Sequence, residues 1–262
     1  YNRTKSKAEK WIKEYKGKIA ETPEEAAKDS DFVFTCVGND NDLKEVAIGK
    51  MGIFNTIKKG SVYIDNTTAS AEIARELYNE ANKKGFHFLD APISGGPVGA
   101  NDGTLSIMVG GNQKAYNSTL EYFQMMGTTV KYMGESGAGT SMKLINQLLT
   151  AVHTTAAAEA LALTNATNVD IDSAMEILEV SFGFSRMLER CAPIIRDRKF
   201  DGSPVPARNL HKDIGIICEM GKELEVNLPL IKITKKLFDE LKADGKEMED
   251  MAGIIQIIEK NN

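Results

Sequence analysis

Cysteine is scarce. The 262-residue chain has three, Cys36, Cys191 and Cys218, far apart and odd in number. They fit neither a disulfide framework nor a zinc site, and suggest a reducing compartment such as the cytoplasm. The three histidines, His87, His153 and His211, are as scattered, so no metal-ligand spacing emerges. No apolar run approaches the roughly eighteen residues of a membrane span. Excess positive charge is missing too: the net charge is −5, which argues against nucleic acid or an anionic membrane as main partner. The chain does not begin with Met, and no signal peptide is visible. What is present is hydrophobic content of 42%, ample for one large domain or two ordinary ones.

The first half alternates between strand and helix signals. Tyr1-Asn2-Arg3-Thr4 reads as a strand end followed at once by a helix over about 5–15. Thr22-Pro23-Glu24-Glu25 is a strong helix start: a Thr cap, Pro at the first position, Glu three residues after the cap. Asp31 to Val37 is nearly continuous in apolar character, which suits a parallel strand buried on both faces. A helix over about 42–57, a strand over 61–65, a helix from Ser70 to about Lys84 and a strand over 86–91 follow. A strand over 104–109, a helix over about 113–125 and a strand over 129–133 complete this half. Strand, loop, helix, strand in this order predicts an α/β doubly wound parallel sheet. Ligands of such sheets bind beyond the carboxyl ends of the strands. The loops 38–40, 66–70 and 92–103 are therefore the candidate site. The last contains Ser94-Gly95-Gly96-Pro97-Val98-Gly99, whose glycines let backbone approach a ligand and whose amides can hold an anion; a plain turn is the alternative.

After Gly134 the strand signals stop. Between Ala138 and Asn168 the only helix breaker is Gly139, so one helix of about 45 Å is expected at 1.5 Å per residue. Further helices are expected from Asp170 or Asp172 to Val180 and over 184–192, 207–226, 230–243 and 249–259. The predicted division is 1–136 and 137–262, the second part all-helical. On the long helix, Lys143, Asn146, Gln147, Thr150 and Thr154 share one face. A solvated face is the plain reading, but such faces are richer in Glu and Lys. One cation followed by amides and hydroxyls is what a pocket for a small polar ligand needs.

Three blocks together resemble the β-hydroxyacid dehydrogenase family, which includes 3-hydroxyisobutyrate dehydrogenase, tartronate semialdehyde (2-hydroxy-3-oxopropionate) reductase and the glyoxylate/succinic semialdehyde reductases. They are Asp90-Ala91-Pro92-Ile93-Ser94-Gly95-Gly96 with Gly103-Thr104-Leu105 and Met108-Val109-Gly110-Gly111; Gly137-x-Gly139-x-x-x-Lys143-x-x-Asn146; and Leu210-His211-Lys212-Asp213-Ile214 with Pro229. The resemblance covers nearly the whole chain. It implies a Rossmann-type domain, a long helix and an all-helical domain, with hydride transfer between a nicotinamide and the carbon bearing the hydroxyl or aldehyde. It implies Lys143 as the catalytic residue and Ser94, Gly95 and Gly96 as holders of the substrate carboxylate. Some relatives carry an asparagine four residues after the lysine. That position is Gln147 here, with Asn146 one place earlier, so either amide is a substrate contact.

The resemblance also implies a cofactor. Asn2-Arg3-Thr4 corresponds to the end of the family's second strand, where an arginine suits the extra phosphate of NADP and an acidic residue suits NAD. NADP is thus expected, with NAD possible, and a plain surface arginine is the alternative for Arg3. Val37, Gly38 and Thr68 are implied cofactor contacts. So is Lys212, which could equally be an ordinary helix lysine. Met108, Phe182 and Phe184 read as packing residues. The family's first strand and its Gly-x-Gly-x-x-Gly turn have no counterpart in this chain, and roughly thirty residues are expected upstream, the length of one strand–helix unit. Homodimers or homotetramers are expected, since relatives form them and the long helix offers a flat Ala-rich face. A 6-phosphogluconate-type dehydrogenase and a non-catalytic dimeric binding module that has lost its phosphate loop are the alternative functions. The blocks do not fix the substrate; the walls expected to choose it lie near 182–185 and 208–212.

Overall fold

The computed structural model describes residues 1–260. The chain divides into two compact units between Lys143 and Leu144. That point lies inside a helix, not at its beginning.

In the first unit, β1 (Phe32–Thr35), β2 (Val62–Asp65) and β3 (His87–Asp90) pair in parallel, in register 32↔62↔87. The helices between them are α3 (Asp40–Ile48) and α4 (Ala71–Lys84), and two helices, α1 (Lys5–Glu14) and α2 (Pro23–Ala27), precede β1. Each of the later starts has a side-chain cap: Thr22 takes Glu25 N–H, Asn39 takes Asp42 N–H and Ser70 takes Ile73 N–H. Gly85 ends α4 in the left-handed region. The expected helix over 42–57 stops at Ile48, and only a 3-10 turn, Ile53–Asn55, follows. Gly49 and Gly52 interrupt it: a Cβ on either would overlap backbone of the preceding turn.

The far side of the sheet is not parallel to β3. The strands β4 (Ile93–Ser94) and β5 (Ser106–Gly111) are antiparallel to each other, and β5 is antiparallel to β3. The pairs 89↔111, 90↔110, 93↔107 and 94↔106 keep one register, so β3 and β4 form one line broken at Ala91-Pro92. Pro92 still offers its carbonyl, to Met108 N–H at 3.1 Å. The sheet is therefore mixed. On the other edge of β5, β6 (Thr129–Gly134) pairs in parallel, reached through α6 (Gln113–Met126). Stretch 92–103, expected as a loop, instead forms β4 and a short helix, α5 (Gly96–Asp102). Pro97 in its first turn, where no N–H is needed, explains the helix.

Strand β2 is buried along its whole length. Tyr63 joins Leu43, Ala47, Leu77 and Phe88 on one face. Val62 and Ile64 join Leu89, Ile107, Val109 and Phe123 on the other. Apolar residues on both faces of the central strands are why the strand segments read as runs and not as alternations.

The second unit is helical. Helix α7 (Ala138–Ala166) begins in the first unit and continues through the second. It is followed by α8 (Ile171–Leu178), α9 (Arg186–Asp197), α10 (Ala207–Glu223), α11 (Pro229–Ala243), a 3-10 turn at Met251–Ile254 and α12 (Ile255–Lys260). The helix expected over 184–192 is α9, which runs on through Pro193 to Asp197 with Leu188, Cys191, Ala192 and Ile195 buried. Burial of that face outweighs the lost hydrogen bond. One core unites Leu144, Ala151, Leu161, Leu188, Ile214, Phe238 and Ile255.

Candidate active site

The loops after the parallel strands are bound together by buried polar groups. Asp65, the last residue of β2, accepts hydrogen bonds at Oδ1 from Thr35 Oγ1 (2.8 Å) and Thr67 Oγ1 (2.7 Å). Thr67 Oγ1 in turn accepts from the Val37 N–H at 3.0 Å. Asn66 donates its amide to Ala91 O at 2.6 Å, and Ser70 N–H donates to Asp40 Oδ1 at 2.9 Å. Loops 36–40, 66–70 and the end of β3 thus form one assembly. Complete burial pushes the Asp65 carboxyl up to about 6, against the pull of the two threonine hydroxyls.

Asp90, the last residue of β3, performs a different task. Its Oδ1 accepts the Gly137 N–H at 2.8 Å and its Oδ2 the Thr140 N–H at 2.9 Å. A carboxylate across the first turn of α7 satisfies amides that have no intrahelical partner and meets the positive end of the helix dipole. Burial pushes the Asp90 carboxyl up, and the backbone donors hold it back. The two glycines of this turn serve separate needs. Gly137 has φ +89°, outside the usual range of other residues. Gly139 allows close approach: a Cβ there would lie 2.6 Å from Asp90 O and 2.8 Å from Gly110 N. Lys143 follows one turn later and is buried, with 6% of its surface exposed. Ser94 is half-buried at the end of β4, and the exposed Gly95 and Gly96 turn the chain with φ of +135° and +64° into α5, whose start no side chain caps.

The expected cofactor residues fall into separate groups. Asn2, Arg3, Thr4, Val37 and Gly38 line one cavity of about 420 Å³, together with Thr35, Cys36 and Asp42. Arg3 lies on its rim with Nη1 donating to Asp42 Oδ1 at 2.7 Å, and its side chain is 80% exposed. Asn2 Oδ1 accepts the Thr4 N–H at 2.9 Å. Thr68 is half-buried beyond Thr67 and does not line this cavity. Within the second unit, Asn146, Gln147 and Lys212 meet around Asp213. Gln147 Nε2 donates to Asp213 Oδ2 at 2.6 Å, Asn146 Nδ2 donates to Gln147 Oε1 at 3.0 Å, and Lys212 Nζ lies 2.9 Å from Asp213 Oδ1.

Met108 is buried, as a packing residue should be, but Phe182 is fully exposed and packs against nothing. Sequence reasoning gave no role to Asp65, Thr67, Asp90, Asp213 or Asp42. Three of these carried a signal. Leu210, Asp213, Ile214 and Ile217 share one helix face, so Asp213 is an acid inside an apolar stripe. Asp65-Asn66-Thr67 continues a buried strand with three polar residues. Among the described residues no group of three or more His, Cys, Asp or Glu could hold a metal ion. No described helix is long and apolar enough to cross a membrane.

Comparison with known proteins agrees with this architecture. Residues 1–134 match the family described as the NAD binding domain of 6-phosphogluconate dehydrogenase, and residues 137–258 the one described as NAD-binding of NADP-dependent 3-hydroxyisobutyrate dehydrogenase. The chain is 32% identical to 2-(hydroxymethyl)glutarate dehydrogenase of Eubacterium barkeri, over 92% of this chain and 80% of that one. It is 30% identical to 2-hydroxy-3-oxopropionate reductase of Escherichia coli K12, over 91% and 82%. The crystal structure of 3-hydroxyisobutyrate dehydrogenase from Salmonella typhimurium superimposes with a TM-score of 0.83 at 27% identity, covering 90% of this chain and 82% of that one.

Proposed function

This chain belongs to the β-hydroxyacid dehydrogenase family and is an NAD(P)-dependent oxidoreductase, and we propose that it moves a hydride between NADP(H) and a short β-hydroxyacid or its semialdehyde with Lys143 as general acid and base. The observation that carries this reading is a buried lysine on a helix whose first turn is locked to the end of β3 by Asp90. An amine held at a fixed place out of bulk water suits a group that must take and return one proton.

The nicotinamide supplies or accepts the hydride. A cavity of about 420 Å³ alongside and beyond β1, with the Arg3 guanidinium on its rim able to reach an anion, supports this reading for the adenosine end of the cofactor. Arg3 would pair with the 2′-phosphate that distinguishes NADP, with Asn2, Thr4, Val37 and Gly38 lining the same cavity. Thr68 and Lys212 are further cofactor contacts in this reading. On oxidation, the neutral Lys143 amine takes the substrate's hydroxyl proton as hydride leaves the carbon. On reduction, the ammonium returns that proton to the oxyanion. Ser94 Oγ and the backbone amides around Gly95 and Gly96 hold the carboxylate that all these acids share. An amide of the Asn146–Gln147 pair adds a hydrogen bond.

Relatives named for 2-(hydroxymethyl)glutarate and for 2-hydroxy-3-oxopropionate define the range of substrates to try first. The test is NADPH oxidation, with NADH alongside, over a panel of semialdehydes and glyoxylate. Lys143→Ala should lower kcat by at least about a hundredfold, the scale of general acid–base catalysis. Unchanged turnover in that variant would remove Lys143 from the mechanism. We also propose a homodimer or homotetramer in the cytoplasm. Exposed Ile145, Leu149 and Leu163 on α7, and Ile177, Val180 and Phe182 after it, support association. Light scattering at micromolar concentration decides it; a mass of one chain counts against association.

A further inference from the structure

The side chains around Asp213 form a chain with a direction. A carboxylate only accepts hydrogen bonds. Gln147 therefore has to turn its NH₂ group toward Asp213, where Nε2 lies 2.6 Å from Oδ2. That choice places Gln147 Oε1 on the other side, and the neighbour that meets it must donate. Asn146 does so with Nδ2 at 3.0 Å. An isolated amide can face either way, because its two ends have the same shape. Here one buried charge orients both. Asp213 is 4% exposed, so water cannot take over its role, and Lys212 Nζ lies 2.9 Å from Oδ1.

We propose that Asp213 is a positioning residue which, through Gln147, fixes the direction of the Asn146 amide, so that Asn146 presents its carbonyl oxygen and Gln147 takes no direct part in substrate binding. With Nδ2 committed to Gln147, the group Asn146 has left to offer is Oδ1. It is an acceptor on the same helix face as Lys143, one turn further on. It suits a ligand carrying an O–H or N–H donor at that point, which is the hydroxyl form of the substrate and not a second carboxylate. Each link polarises the next: the carboxylate draws on the Gln147 N–H, which makes Oε1 a better acceptor, which does the same for Asn146. The inference rests on the reading of this helix face as the substrate side.

The experiment combines kinetics with an observation that needs no turnover. Asp213→Asn has the same shape but no charge, so it can face Gln147 with either end. In protein with ¹⁵N-labelled side-chain amides, this variant should move the NH₂ resonances of both Gln147 and Asn146. Its kcat/KM for the hydroxyacid should fall about tenfold, the upper end for losing one neutral hydrogen bond. Gln147→Ala, a partly exposed position that tolerates truncation, should show the same fall. Neither should worsen Asn146→Ala by more than about twofold, because all three remove one relay. A shift at Gln147 alone, or effects of Asp213→Asn and Asn146→Ala that multiply, overturns the relay. Lys143→Ala is measured alongside. If it retains full turnover, the catalytic reading fails, while the amide resonances still decide the relay on their own.

Discussion

The two units handle buried carboxylates in opposite ways. In the sheet unit, Asp65 and Asp90 face hydroxyls and backbone amides. In the helical unit, Asp213 faces Lys212, and Asp250 receives a two-pronged hydrogen bond from Arg190 at 2.8 and 2.6 Å. The consequence differs in sign. Burial pushes Asp65 and Asp90 up, and neutral donors recover only part of that shift. Burial also works to raise Asp250, but Arg190, the Ser203 hydroxyl and the Ala252 amide outweigh it, and its carboxyl lies below the ordinary value. Neutral donors set backbone geometry at the strand ends. In the helical unit a cation meets the carboxylate, from the preceding residue of α10 for Asp213 and from α9 for Asp250. The first arrangement keeps loops exact in position near a ligand at a cost in stability; the second contributes to stability at neutral pH.

The sharpest way to break this comparison is Asp250→Ala. It strips both prongs from Arg190 and also removes the acceptors of Ser203 Oγ and Ala252 N–H. An uncompensated, largely buried guanidinium costs about 3 kcal/mol or more. Urea denaturation at pH 7 should show a loss of that size. The wild-type contribution should fade as pH drops below about 4, since a depressed carboxyl stabilises above its unfolded value and loses that effect on protonation. A loss under about 1 kcal/mol would mean that the helical unit does not depend on its buried ion pair.

Asp65→Asn should act in the other direction. The asparagine keeps an oxygen for Thr35 and Thr67 but carries no charge. The folded carboxyl titrates near 6 and the unfolded one near 3.8. Between these values the folded state holds a proton that the unfolded state has released, so wild-type stability falls as pH rises through that window and stays lower above it. The substitution should raise stability at pH 7 by on the order of 2 kcal/mol and have little effect at pH 4. Melting temperatures at the two pH values measure it. Equal effects at both would show that the carboxyl is not charged at neutral pH.

How much of this was legible beforehand depends on the range of the forces involved. Apolar runs and caps act within a few residues, so the strand and helix order, the Thr22 and Ser70 starts and the long α7 could be read directly. The antiparallel β5 could not, because strand direction depends on partners far away in sequence. The helix hidden at Gly96–Asp102 was masked by glycines that also suit a loop. Lys143 and the Ser94 stretch stood out as residue types in a pattern, and Arg3 through the family resemblance alone. The carboxylates that orient their surroundings did not, since Asp90 and Gly137 are 47 residues apart and Gln147 and Asp213 are 66 apart. Only the apolar stripe around Asp213 and the polar run Asp65-Asn66-Thr67 after a buried strand offered a clue.

Asp90→Asn probes the neutral-donor arrangement where it touches catalysis. An asparagine can accept from Gly137 or Thr140 but not from both, and its NH₂ would face an amide. A loss of about 1–2 kcal/mol is expected, one buried hydrogen bond with some relief from the missing charge. Because the same turn sets the start of α7, kcat should fall while KM for the cofactor stays near its original value. Parallel changes in both would point to a general loosening of the sheet unit.

The smallest effect belongs to the exposed exception. Asp42 is a carboxylate of the sheet unit that does have a cation, Arg3, but the arginine side chain is 80% exposed. Ion pairs of that kind contribute well under about 1 kcal/mol and weaken with salt. Asp42→Asn should therefore leave the melting temperature almost unchanged. Its effect should appear in cofactor choice. With the competing carboxylate neutral, the guanidinium is free to meet a phosphate, and KM for NADPH should fall a few-fold while KM for NADH does not move. Arg3→Ala should do the reverse, raising KM for NADPH alone. If both variants shift the two cofactors equally, Arg3 is a surface residue and the phosphate preference has another source.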